Sequence, residues 1–187
     1  MLSESLKQAT RIPHAELEKL MIERIRRTST TTAYLDLLRL FYGYYKPVEE
    51  QIDRFIDRNH LADYSSRRKS AAIVSDMQQL NSDHYNKLCR DLPSINNSSQ
   101  SFGALYVLEG STLGGRIIAQ MLEKNMGSAA PASFSFFNGY GESAGTMWSV
   151  FKDKLNGYTS DTGEQDEIVA AATDTFVKFK KWMISYE

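Results

Sequence analysis

What most limits this chain is the spacing of its apolar residues. They recur at three- and four-residue steps almost from end to end, and no segment alternates polar and apolar for long. That period lays side chains along one stripe of a helix, whereas a strand needs a period of two. Breakers are few, four prolines and eleven glycines in 187 residues. A first helix is expected from about Ser3, its cap, to Arg27, with Leu6, Thr10, His14, Leu17, Met21 and Ile25 on its stripe. Pro13 removes a donor and crowds the carbonyl of Ala9, so a kink or an interrupted first turn is expected there. A second helix is expected over about Thr32 to Asn59, striped from Tyr34 to Phe55. A third runs over about Ser66 to Leu92, carrying Ile73, Val74, Met77, Leu80 and Leu88, and Pro93 ends it. A fourth spans about Gln100 to Asn125. The stretch "GSAAPASFSFFNGYGESAG" (127–145) reads as irregular, and two more helices follow near Thr146 to Leu155 and Glu164 to Ser185. Long helices with short connections give an all-α bundle, expected to be a single domain over 1–187.

Bulk properties remove several function classes. Twenty-two basic residues face 23 acidic ones, a net charge of −1, so no basic excess recommends a nucleic acid partner. Cys89 is the one cysteine, so no intrachain disulfide forms, which fits a cytoplasmic protein. The opening "MLSESLKQAT" has Glu4 and no apolar core of a signal peptide. No apolar run reaches the ~18 residues of a membrane span. The expectation is a cytoplasmic protein with no membrane segment.

The fourth helix breaks a rule. "SFGALYVLEGSTLGGRIIAQMLEK" carries Gly103, Gly110, Gly114 and Gly115, with Ser111 and Thr112 between them. Each interior glycine costs about 1 kcal/mol against alanine. Something offsets that cost. Either another helix packs closely, or a ligand approaches the backbone where the helix bends, since Gly110 and Gly114 share a face.

The second anomaly is "KQATRIPHAELEKLM" (7–21), where His14 sits on the apolar stripe. A lone histidine there is usually a hydrogen-bonded core residue. Glu18, one turn on, is placed to accept from Nδ1, the arrangement that orients a ligating imidazole and leaves Nε2 for a metal. Lys7 and Arg11 stand two turns and one turn earlier, spaced to meet anionic groups at a pocket rim.

These two stretches resemble the heme oxygenase family. "LKQATRIPHAELEKLM" is similar to its proximal-helix motif, and "LEGSTLGGR" to its glycine-rich distal helix in the bacterial form. "NGYGESAGTMW" is similar to the segment that follows in heme oxygenases associated with bacterial phytochromes. The resemblance spans nearly the whole chain. It implies a bundle holding heme, as substrate and cofactor, between the first and fourth helices. His14 would be the iron ligand, with Glu18 orienting it. Gly110, Gly114 and Gly115 would line the distal face, with Ser111 near the bound dioxygen. Lys7, Arg11 and, by a looser match, Lys152 would meet the heme propionates. The implied reaction is oxidative cleavage by O2 and reducing equivalents to biliverdin, carbon monoxide and ferrous iron, with the usual α opening. A ferredoxin or flavodoxin reductase system is implied as electron donor.

The family pattern departs at one place. Many members carry an aspartate where Ser111 stands, and it organises a water network. Thr112, Glu109 or carbonyls exposed by the bend are the alternatives here. Other readings are a heme-binding storage or sensing protein without turnover, and a cofactor-free helical interaction domain. Cys89, with His84 and Tyr85 before it, suggests a nucleophile, but an inert cysteine is the expectation. Glu49 and Glu50 raise a carboxylate di-iron centre, yet no Glu-x-x-His occurs. His60 reads as a solvated or capping residue, and Tyr42, Tyr44 and Tyr45 as packing.

Overall fold

The computed structural model describes residues 1–82 and 87–186. All regular structure among them is helical, as the apolar period requires. The expected first helix is two: α1 (Leu2–Ala9) and α2 (Arg11–Arg27), parted at Thr10. Pro13 is the cause. As the third residue of α2 it falls where N–H groups have no intrahelical partner, so its missing donor goes unfelt. Thr10 bridges the break, its hydroxyl donating to the Leu6 carbonyl at 2.7 Å.

The long α3 (Thr31–Phe55) starts at a Thr30 cap, whose hydroxyl accepts from Ala33 N at 3.1 Å. Tyr34, Leu37, Leu38, Phe41, Tyr45, Val48 and Ile52 are buried as expected, but the helix ends four residues early and leaves Phe55 exposed. The third helix is far shorter than expected. Among the described residues of that stretch only α4 (Ala71–Gln79) is an α-helix. Asn81 adopts a left-handed φ of 53°, and Ser82 N donates to Met77 O at 3.0 Å. That is a helix stop with asparagine where glycine is usual. Beyond it Cys89 N donates to Gly43 O at 2.8 Å, so the 87–92 stretch runs along α3 without being helical, and Leu88 is exposed. The expectations for His84 and Tyr85 lie outside the described residues.

The fourth helix is also two, α5 (Ser98–Gly110) and α6 (Thr112–Met126), interrupted at Ser111. The irregular stretch holds one short α-helix, α7 (Ser135–Asn138), between two 3-10 turns, Gly127–Ala129 and Gly141–Ser143; α8 (Ala144–Asn156) and α9 (Thr162–Ser185) follow. Glycines set how closely these elements pack. A Cβ on Gly103 would stand 2.2 Å from the Ile168 carbonyl oxygen of α9, and one on Gly115 would stand 1.9 Å from that of Phe137 in α7. A Cβ on Gly114 meets nothing within 4 Å.

Behind the α5–α6 junction lies a buried ion pair. Arg67 donates to Glu109 at 2.5 Å, both side chains almost fully buried, and to Asp63 at 2.8 Å. Burial works against the Arg67 charge, but these carboxylates outweigh it and raise its pKa. Tyr140 donates to Glu109 at 2.9 Å. Burial, with Glu109 beside it, pushes that phenol up, so it stays a donor.

Two stability measurements check this account. In thermal unfolding, Gly103→Ala and Gly115→Ala should each lose about 1–3 kcal/mol through overpacking, whereas Gly114→Ala should gain up to about 1 kcal/mol from helix propensity. Arg67→Met strands a buried carboxylate and should cost about 3–5 kcal/mol by urea titration.

Candidate cofactor cavity

A cavity of about 630 Å³ lies between α2 and the α5–α6 pair. That is within the range of small-molecule and cofactor sites, roughly 300–1,000 Å³. Its lining is mostly apolar and aromatic. Phe41 and Tyr45 of α3, Phe136 and Phe137 of α7, Trp148 of α8 and Phe176 and Phe179 of α9 all reach it. Lys7, Arg11, His14, Glu18, Gly110, Ser111, Gly114, Gly115 and Lys152, scattered over more than half the sequence, line this one cavity.

The break at Thr10 lets two helices contribute to the same wall. α1 brings Lys7, and α2 brings Arg11, His14 and Glu18. His14 is exposed at the cavity and its ring packs on Phe176, centroids 5.3 Å apart. Neither imidazole nitrogen has a hydrogen-bond partner among the described residues, and Glu18, lining the same wall, makes no bond to it. Lys7 and Arg11 are exposed and carry no ion pair among the described residues. Lys152 is half-buried, its Nζ 6.0 Å from the Trp148 ring centroid.

On the opposite wall the glycines divide into two roles. Gly114 faces open space, and a Cβ on Gly110 would only touch Trp148 at 3.6 Å, an ordinary contact. Gly115 borders the cavity, but its lack of a side chain serves the close approach of Phe137. The interruption between them is held by hydroxyls. Ser111 donates to Leu108 O at 2.6 Å and Thr112 to Glu109 O at 2.7 Å, the local back-bonding that bends helices.

Two alternatives to the aspartate fall away here. Thr112 is buried, and its hydroxyl is spent on the helix. Glu109 turns inward to Arg67 and Tyr140. Neither lines the cavity. Two residues that spacing did not single out bond Ser111 at the cavity wall. Tyr45, expected to be packing only, donates to Ser111 Oγ at 3.1 Å, and Arg68 donates to both Ser111 Oγ and Leu108 O at 2.8 Å. Arg68 lies in the non-helical link before α4, where no periodicity marks it. Tyr44, by contrast, packs as expected, stacked on Phe179 at 4.6 Å.

Among the described residues, the other histidine and the cysteine lie away from the cavity lining. His60 is half-buried between Phe102 and Tyr158, and its Nε2 bonds the Lys154 carbonyl at the end of α8. His60 thus meets the last turn of α8 and not the end of its own helix, which stops at Phe55. Cys89 is buried, and burial pushes its thiol up, away from a nucleophilic thiolate. No cluster of three metal-ligating side chains occurs among the described residues, so a di-iron centre has no ligand set there.

Comparison with known proteins agrees with this architecture. A heme oxygenase of Xanthomonas campestris pv. campestris is 27% identical over 146 residues, 78% of this chain and 86% of that protein. The crystal structure of the NO- and CO-bound heme oxygenase of Neisseria meningitidis superposes with a TM-score of 0.80 at 20% identity. It covers 98% of this chain and 90% of that one. A family model, described as heme oxygenase, matches residues 1–185, and the chain belongs to the heme oxygenase family.

Proposed function

We propose that this chain binds heme in the cavity between α2 and the α5–α6 pair and degrades it oxidatively to biliverdin, carbon monoxide and ferrous iron. The observation that carries the reading is the pairing of an unpartnered imidazole, His14, with a glycine wall, Gly114, where an added Cβ meets no protein atom. An apolar slot with an imidazole and cations that have no partner among the described residues suits a flat macrocycle bearing a metal and two carboxylates.

Each residue has a part in this scheme. His14 holds the iron through a neutral ring nitrogen. Glu18, one turn on, is placed to take the other nitrogen once the ring turns toward the metal. Lys7, Arg11 and Lys152 grip the propionates and so set the rotation of the macrocycle. Gly110 and Gly114 let the distal helix lie close to the heme face. The bound heme supplies the oxygen chemistry, with dioxygen as oxidant and electrons from a ferredoxin or flavodoxin reductase system. The protein excludes bulk water with aromatic walls, and Ser111 and Tyr45 fix the distal backbone. The single thiol and the lack of any helix long and apolar enough to cross a membrane, among the described residues, support work in the cytoplasm. Storage or sensing without turnover draws no separate support from these features.

Mixing purified protein with hemin tests the reading. A Soret band should appear, and reductant with air should convert it to biliverdin absorbance; an unmoved band sinks the proposal, and a band that survives turnover conditions leaves binding alone. His14→Ala should reduce turnover at least about 100-fold. Of the two tryptophans, Trp148 lines the cavity and Trp182 is buried with its indole N–H on Leu40 O. Hemin should therefore quench most of the fluorescence of the native protein, and Trp148→Phe should remove most of that quenched signal.

A further inference from the structure

The hydroxyl of Ser111 has nothing left to give. It donates its proton to Leu108 O at 2.6 Å, and its oxygen accepts from Tyr45 at 3.1 Å and from Arg68 at 2.8 Å. A hydroxyl has one proton and two acceptor lone pairs, so all of its capacity is used inside the protein. Arg68 is the opposite case. Nη2 is committed to Leu108 O and Ser111 Oγ, while the donors on Nε and Nη1 have no partner among the described residues.

Several contacts fix that side chain in place. Its guanidinium carbon lies 4.5 Å over the Phe136 ring and 5.4 Å from that of Tyr45, and all three side chains line the cavity. The neighbouring backbone is tied as well, since Arg68 N donates to the Tyr140 hydroxyl at 2.7 Å, within reach of Glu109. Arg68 itself has no carboxylate partner among the described residues, because Glu109 is engaged by Arg67. A guanidinium keeps its charge at every physiological pH.

We infer that Arg68 is the hydrogen-bonding group of the distal side, and that it makes this side of the cavity cationic and selective for small anionic ligands. Where an aspartate would offer a negative acceptor, this chain offers a positive donor. Ser111 and Leu108 O act as its tether, and Phe136 as the surface against which it is held. The inference rests on the heme reading above, since the ligands it concerns share the cavity with the macrocycle.

The test uses the hemin-loaded full-length protein and compares two small ligands. Azide, an anion, binds the ferric complex; carbon monoxide, neutral and one atom shorter, binds the ferrous one. Arg68→Met should weaken azide about tenfold or more, the scale of a hydrogen bond to a charged group, while carbon monoxide affinity stays within about twofold. Arg68→Lys, which keeps the charge, should recover most of the azide affinity. In the infrared, the carbon monoxide stretch should rise in Arg68→Met as the positive charge is removed. Arg68→Gln stands in if the methionine variant does not take up hemin. Azide affinity unchanged in a loaded neutral variant overturns the inference, as does an equal loss for both ligands, which would make Arg68 only a wall. Failure of the native protein to take up hemin sinks the heme reading and this inference with it. Normal uptake with unaltered azide binding sinks this inference alone.

Discussion

Two contacts between backbones, with no side chain between them, set the dimensions of the cavity. At Gly103 the carbonyl of Ile168 comes so close that any Cβ would overlap it, which presses α9 against α5. At Gly115 the carbonyl of Phe137 does the same from α7. Both lie on the helices that form the distal wall, which is thereby held from behind by rigid backbone. Its open side, at Gly114, is left smooth. Helix propensity lost at the packing glycines is offset by close contact, whereas at Gly114 no atom of the described residues stands within 4 Å of an added Cβ to offset it.

Spacing made the helices legible, and spacing together with the family resemblance picked out the cavity residues. The period of the apolar residues gives the helices, and each proposed cavity residue reaches the same hollow. What spacing does not contain is the three-dimensional company of a residue. Gly114 and Gly115 are adjacent in a uniform glycine run, yet one faces space and the other a carbonyl. Asn81 ends α4 through a left-handed turn that asparagine adopts only on occasion, so the apolar pattern suggested a helix through Leu88, which lies in a non-helical stretch. Arg68 sits in an irregular link, and a lone arginine in a link is usually solvated. Nothing local says that it reaches the α5–α6 junction. Pro13, which has no part of its own in the chemistry, proves to be the reason two helices share one wall.

Arg67 and Arg68, side by side in that link, grip the same junction from opposite sides. Arg67 is buried, surrounded by acid and neutralised by Glu109 and Asp63. It contributes to the fold and has no charge to spare. Arg68 binds a carbonyl and a hydroxyl, both uncharged, and so keeps its charge whole. Two neighbouring residues of one link thus place one cation in the buried ion pair and another on the cavity wall.

The saturated hydroxyl of Ser111 also bears on how such a site can diverge. An aspartate at position 111 beside an unchanged Arg68 would pair with it, and each charge would cancel the other. A neutral residue at position 68 beside an unchanged Ser111 would leave the junction without its clamp. Positions 68 and 111, 43 residues apart, are therefore tied through one hydrogen bond. Along any lineage that moves between an acidic and a basic distal wall, they should be seen to change together, and chains carrying only one of the two changes should be rare.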